Sequence, residues 1–462
     1  MEPARRARCA PLLCVSSRAA LISLLLVAAL SHGAQHPLIF KDAAGNLVLA
    51  GREVVLDTLP FAPLASQARE AAARAAAADE QRALLRAQLR QSVCNTGVAP
   101  LLQAVGQLWV QDARGVATFN MDGRAFVAVA NFGALGPRVY VYNASTRALD
   151  PFQAIDTSLR VASVEPFAMA GTTYLALAES YDPVAGTNNV NSTIHRFNAT
   201  SQRFEPWQKI ATRSAQSWHA FKLGGRQLLG VSNYIGVSRL IESNLYEFNA
   251  ERDEFVPFQE LSTQGALDMA SFQAGGHTYL AVANNHNGSV GDIQSHLYIY
   301  DAEQNEFSLH QAFDTFSVFD FEVLRTDDDT VLLVASNSYA GGLPEYTHLL
   351  RFNTTSMLLE LVQSIPTASA RAAHAFSVGS SQYVVLANYQ NSKLPSRLYT
   401  LNARTQLLEF VQDLPVEYPQ AWASFRAPDD GTTYVLVGGG QNTGGSPAVP
   451  MPIFAVNPLC DL

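Results

Sequence analysis

Cysteine is scarce. There are four in 462 residues, and Cys9 and Cys14 fall in an N-terminal segment that reads as removable. Cys94 and Cys460 remain without C-x-x-C spacing, and two cysteines alone make no tetrahedral zinc site. In an oxidising compartment the pair most simply forms one disulfide. Long apolar runs are equally scarce. The one at Ala19–Leu30 follows Arg5, Arg6, Arg8 and Arg18 and precedes Ser31, Gly33 and Ala34. That order reads as a signal peptide over residues 1–33 and predicts a secreted chain. As a membrane anchor the run falls short of the roughly 20 residues a bilayer needs, and no other segment is long enough, so no membrane insertion is expected. Basic clusters are missing too. Removing residues 1–33 discards four Arg and one Glu, taking the formal charge from −9 to −12. An acidic chain of this kind is a poor partner for nucleic acid or an anionic membrane. Charged residues are only 15% against 48% hydrophobic, which excludes disorder over most of the length.

What is present is a repeat. Strand-like phrases recur about every 50 residues: FVAVAN (126–131), YLALAE (174–179), LLGVSN (228–233), YLAVAN (279–284), LLVASN (332–337), YVVLAN (383–388) and YVLVGG (434–439). Each follows a strand carrying an aromatic, at Phe119, Phe167, Phe221, Phe272, Phe321, Phe376 and Phe425, and each precedes a third strand such as RVYVYN (138–143). A fourth strand carries a glutamine, at Gln153, Gln208, Gln259, Gln311, Gln363 and Gln412. The seventh unit ends without a fourth strand, and LLQAVGQ (101–107), with Gln103 as its matching glutamine, stands before the first. Four-stranded units of this size bury their faces only against neighbours, and arranged radially they form a β-propeller. The expected fold is therefore all-β: a seven-bladed β-propeller over 94–460, with an N-terminal strand closing the last blade. That closure would bring Cys94 and Cys460 together as a disulfide, stabilising by roughly 2–5 kcal/mol.

Ahead of the propeller, residues 34–63 form an extension with two strand-like runs around Gly45–Asn46 and Gly51, too small for a large core. Residues 64–92 are rich in Ala, Arg, Glu and Gln without Pro or Gly, which predicts a helix. Its apolar positions follow a 4-3 spacing broken at Arg82, so oligomerisation through a coiled coil is one reading and a lone helix the preferred one.

Chemistry is thinly marked. The acidic runs at 301–306 and 325–330 lack the spacing of a calcium loop and read as turns. Glu165, Asp268 and Asp320 lie on or beside first strands, which line a propeller's channel. They are the candidate holders of a structural Ca²⁺, although they do not share a register. Eight histidines after residue 190 are scattered without ligand spacing, no G-x-S-x-G occurs, and the chain reads as a non-enzyme with no cofactor required. Five N-x-S/T sites, Asn143, Asn191, Asn198, Asn287 and Asn353, predict a glycoprotein. Asn143, Asn198 and Asn353 fall at third-to-fourth-strand turns, on one face. Asn191 and Asn287 fall in second-to-third-strand loops, on the other. Those latter loops are the longest, and Phe132, Tyr181, Tyr234, Tyr339 and Tyr389 open them. An exposed aromatic ring there would anchor a partner; packed down, it would cap the blades. Asn131, Asn233, Asn284, Asn337 and Asn388, which end second strands, read as turn residues serving nearby backbone.

The stretches ASFQAGGHTYLAVAN (270–284), SNLYEFN (243–249) and EFVPFQELST (254–263) resemble the epilepsy-associated repeat, also called the EAR or EPTP repeat, and the resemblance runs over about 100–457. Membership implies a secreted seven-bladed propeller that binds extracellular or cell-surface proteins without catalysis. Family members place leucine-rich repeats or a laminin G domain before the propeller. This chain has neither, so the resemblance implies nothing about which partner it takes. A carbohydrate-binding propeller is the alternative reading, since exposed Tyr and Phe also stack on sugars.

Overall fold

The computed structural model describes residues 39–41, 47–49, 52–54, 81 and 100–457, apart from 111, 134–135, 288–291, 327–328, 339–344, 391–392 and 441–448. The signal peptide, nearly all of the 64–92 helix, Cys94, Cys460 and Tyr339 lie outside the described residues. The chain divides into two units, Met1–Ser92 and Val93–Leu462. In the first, Ile39–Lys41, Leu47–Leu49 and Arg52–Val54 pair as an antiparallel three-stranded sheet, one strand more than the two runs expected from the sequence.

The second unit consists of seven four-stranded antiparallel sheets. Blade 1 runs Ala113–Met121, Arg124–Asn131, Arg138–Asn143, Ala148–Ala154 from inner to outer strand. Blades 2 to 6 begin at the inner strands Arg160–Met169, Ala215–Leu223, Ala266–Ala274, Val318–Arg325 and Ala370–Val378. Blade 7 is Pro419–Arg426, Thr433–Gly439, Val449–Val456 and, supplied from the start of the propeller, Leu102–Val110. Each inner strand contacts the next, and Pro419–Arg426 contacts Ala113–Met121, so the ring closes. Second strands are the most buried elements. Val127, Leu229, Ala281, Leu333 and Val384 are all fully buried, because each is covered by a neighbouring blade on both faces. Between several blades the chain crosses through one residue in the left-handed region: Ser214, Gly265, Ser317 and Ser369 have φ between 46° and 56°. A single small residue is enough to turn the outer strand of one blade into the inner strand of the next.

The repeated glutamine joins neighbouring blades. Gln153 Nε2 donates to the Phe204 carbonyl (2.9 Å) and its Oε1 accepts the Phe204 N–H (2.8 Å). The side chain thus fits the outer strand of the next blade as an extra peptide group would. Gln208 clasps Phe255, Gln259 clasps Phe307, Gln311 clasps Leu359, Gln363 clasps Leu408 and Gln412 clasps Leu102, all by the same two bonds. Each glutamine sits just past a bulge in its strand.

Gln103 is not the seventh member. In blade 7 the bulge falls between Ala104 and Gly106, and Gly106 pairs with Ile453 as Gln259 pairs with Leu245. Matching by sequence put the glutamine three residues early, and the true position has no side chain. Among the described residues the seam between blades 7 and 1 is held differently: Thr118 Oγ1 donates to the Ser424 carbonyl (2.6 Å), Tyr142 and Tyr434 hydroxyls lie 3.4 Å apart, and Arg147 meets Asp430 (3.0 Å). The irregular YVLVGG phrase belongs to this seam, since a Cβ at Gly438 would come within 2.6 Å of Val116 Cγ2. A Cβ at Gly106, by contrast, would meet nothing within 4 Å. Gly106→Gln is therefore expected to stabilise the propeller by ~1–2 kcal/mol through a seventh clasp. Chemical denaturation of the two proteins side by side checks this, and equal midpoints would show that the glutamine geometry does not transfer to this seam.

Candidate functional site

The inner strands enclose a channel with a cavity of ≈ 480 Å³. Their register decides what faces it. Asp268 and Asp320 pair with Ala283 and Ser336, each the fifth residue of its second-strand phrase, so these two do share a register, contrary to the sequence reading. Glu165 does not join them. It pairs with the third residue of its phrase, Ala176, and so do His219, Glu322 and His374 with Gly230, Val334 and Val385. Glu322, His219 and His374 were not identified as a group from the sequence. The misleading signal was Phe321. It occupies the place of Met269, and Leu324 stands where the other blades have phenylalanine.

These side chains also join blades. Glu165 Oε1 accepts the Ala220 N–H (3.1 Å), Glu322 Oε1 accepts the Ala375 N–H (2.8 Å), and His219 Nε2 accepts the Ser271 N–H (3.1 Å). His374 Nε2 lies 2.8 Å from Ser424 Oγ. In every case the partner belongs to the following blade. Asp268 and Asp320 do the same one layer away, accepting from the Phe321 and Ala373 N–H groups (3.1 and 2.8 Å). Burial pushes Glu165 up to about 8, Glu322 up to about 7 and Asp268 up to about 6. Asp320 is held well above the carboxylate range by burial and then by the charge of Asp268. Burial pushes His219 and His374 down to about 4.

Ser424, His374 and Glu322 lie in sequence across three blades, but His374 Nδ1 is 3.9 Å from Glu322 Oε1, beyond hydrogen-bond reach. The His219–Ser271 pair repeats the same contact three blades earlier as a clasp. As calcium donors, Asp268 and Asp320 each have one oxygen taken by a backbone N–H. The two together fall short of the six to eight oxygens calcium takes. Among the described residues no group of three or more acidic, His or Cys side chains is placed to hold a metal ion.

The channel mouth on the long-loop side is different in kind. Phe132, Tyr181, Tyr234 and Tyr389 are half-buried there, each under a guanidinium. Arg114 stacks on Phe132 at 3.3 Å, Arg160 faces Tyr181 at 5.3 Å, Arg239 covers Tyr234 at 4.3 Å, and Arg371 covers Tyr389 at 4.6 Å. The rings are thus neither free nor fully packed down, and the arginines that stack on them are half-buried as well. Sequence reasoning missed them because Arg114 and Arg371 lie on inner strands, far in the chain from the loops they cover.

The asparagines ending second strands are structural. Asn233 Oδ1 accepts the Arg213 N–H and its Nδ2 donates to the Glu242 carbonyl, and Asn284, Asn337 and Asn388 repeat both bonds. The sequon residues Asn143, Asn198 and Asn353 cap third-to-fourth-strand turns, each Oδ1 accepting two backbone N–H groups. Asn249, Asp301 and Asn402 perform the same task without a sequon. Asn191 is exposed at the start of a third strand and Asn287 is half-buried in the loop after Asn284.

A closed ring of seven four-stranded sheets around a lined channel defines a seven-bladed β-propeller. Residues 203–242, 254–301 and 359–400 match the EPTP domain. It is 31% identical over 294 residues to the mouse thrombospondin-type laminin G domain and EAR repeat-containing protein, covering 59% of this chain and 41% of the relative. The human protein of the same name is 33% identical over 175 residues, covering 38% and 25%. The chain thus spans less than half the length of the curated relatives it matches. A solved Bacteroides fragilis structure, provisionally described as a 6-phosphogluconolactonase, superposes with a TM-score of 0.48 at 12% identity, over 68% of this chain and 86% of that one, which is too loose to bear on activity.

Proposed function

We propose that this propeller is a non-catalytic, secreted binding scaffold that takes an extracellular or cell-surface protein on its long-loop face. The observation that carries the reading is the contrast between the channel and its mouth. Within the channel, each lining carboxylate and histidine is engaged in joining one blade to the next. At the mouth, arginines stack on aromatic rings. Rigid scaffolds that present variable loops are well suited to recognition, and arginine with aromatic residues is the composition of binding hot spots. Secretion rests on the leader over residues 1–33 and on the sequons, three of which fall at turns on the opposite face, leaving the long-loop face the lighter in glycan. A disulfide between Cys94 and Cys460 belongs to the same reading, as does a role for the 64–92 helix in oligomerisation. Binding of the purified chain to intact cells, before and after protease treatment of the cell surface, tests the proposal. Binding that protease abolishes is expected; binding that survives would move the ligand to glycan or lipid.

A further inference from the structure

Arg371 is the guanidinium least accounted for by the fold. It lies on the inner strand of blade 6, lines the channel cavity and is sandwiched between Phe319 (4.1 Å) and Tyr389 (4.6 Å). Its Nε is buried without a hydrogen-bond partner, and among the described residues no carboxylate pairs with it. Arg114 lines the same cavity from blade 1, held over Phe132, with the buried Asp112 3.8 Å away. Arg160 shares that region, 5.5 Å from the same Phe132 ring. Three guanidiniums thus converge on one opening, and Arg371 among them pairs with no carboxylate of the described residues.

Such convergence is unfavourable in the free protein. Like charges repel, and burial disfavours the charged form: Arg114 is pushed down to about 10 by burial, with the charges of Arg371 and Arg160 adding to it. An arrangement that is poor on its own becomes favourable once an anion completes it. Stacking between two rings also fixes the plane of the Arg371 fork, so little side-chain freedom is lost when it binds a carboxylate.

From this geometry we infer that the mouth of the channel is a carboxylate-binding site, with Arg371 as its primary contact and Arg114 beside it, and that its ligand is an acidic side chain on a loop of the protein partner. The inference rests on the protein-binding reading above and specifies the chemistry of the contact. Two features favour an acidic loop over an extended sulfated glycan. The guanidiniums converge on a concave opening and do not form a track, and the chain as a whole carries a formal charge of −9. Asp268 lies further along the same cavity and, ionised above about pH 6, would repel an anion that entered deeply, so the ligand's carboxylate is held at the mouth.

The test uses the full chain and a glutamate-rich synthetic peptide, with its glutamine counterpart and a heparin hexasaccharide as the other probes. The glutamate peptide is expected to bind, weakening as salt rises, and the glutamine peptide is not. Arg371→Gln should reduce affinity by roughly tenfold or more, and Arg371→Lys, which keeps the charge but loses the fork, by a similar factor. Arg404→Gln, at an exposed turn on the opposite face, should leave it unchanged. Melting temperatures of the variants establish that they fold, and Arg371→Lys serves if Arg371→Gln does not. Equal binding of both peptides, or full binding by a folded Arg371 variant, would overturn the site. Tighter binding of the hexasaccharide than of the peptide would overturn the acidic-loop assignment. Cell-surface binding that protease removes, but that Arg371→Lys leaves intact, would sink this site while leaving the protein-binding function standing.

Discussion

Gln259→Ala is expected to lower the stability of the propeller by ~2–4 kcal/mol, a large effect for a polar residue on an outer strand. The reason is the asymmetry between making a hydrogen bond and leaving one unmade. Gln259 serves both the N–H and the C=O of Phe307, each at 2.7 Å. Truncation removes two bonds and leaves two backbone groups of the next blade unsatisfied. Phe307 itself is buried, packed between Phe221 and Tyr300, so water cannot readily replace the lost partners. The control is Gln103→Ala. Gln103 is exposed and does not occupy the clasp position, so its loss should be near neutral despite the identical chemistry. Equilibrium denaturation of both variants decides the matter. Equal effects from Gln259 and Gln103 would mean the clasp is incidental to the ring.

The second large effect is on pH dependence, and its sign follows from the channel. Glu165, Glu322, Asp268 and Asp320 all have folded-state values raised above their ordinary ones. A raised value means the folded protein holds its proton more tightly than the unfolded chain. The stability from that is fully present below the unfolded value, near 4.5 for glutamate, and is lost as pH rises, to about 8 in the case of Glu165. His219 and His374 act in the opposite direction. Their values fall from 6.5 to about 4, so the folded state favours the neutral ring, and stability is lost as pH drops through that window. Four carboxylates outweigh two histidines, so the propeller is expected to be most stable near pH 4.5 or just below and to weaken as pH rises toward 8. Glu165→Gln retains an acceptor for the Ala220 N–H without the buried charge. It should match the parent at pH 5 and exceed it at pH 8, by on the order of a few kcal/mol. Melting curves across that range read the effect directly. A variant that is weaker by the same amount at every pH would show that Glu165 acts through its shape alone.

Much of the fold was legible from the sequence because a blade is a local object. Four strands with an alternating pattern, separated by turn residues, repeat seven times, and the permuted first strand shows itself as an unmatched fourth strand at the wrong end of the chain. What was not legible depended on register. The clasp position in Leu102–Val110 is fixed by where the bulge falls, between Ala104 and Gly106, and so lies three residues past the Gln103 that matching by phrase picked out. One substitution, Leu324 for phenylalanine, hid the equivalence of Glu322 with Glu165, and of Asp320 with Asp268. The site was harder still. Phe132 and Tyr389 were visible as loop residues, but the guanidiniums over them come from inner strands, and Arg371 reaches both Phe319 of the preceding blade and Tyr389 of its own. Contacts across blades leave no trace in the spacing of a single sequence.

Closure of the ring by Leu102–Val110 sets an order on synthesis. This strand leaves the ribosome first among the propeller's elements, yet its partner, Val449–Val456, comes last. At typical elongation rates it waits roughly twenty seconds to a minute, with Leu102 and Val110, both buried in the closed ring, displayed on an unpaired edge. A chaperone that recognises extended apolar segments has that interval in which to bind it. A nascent chain that stops short of Val449 never satisfies it, so a nearly complete propeller would be marked for degradation by its own first strand.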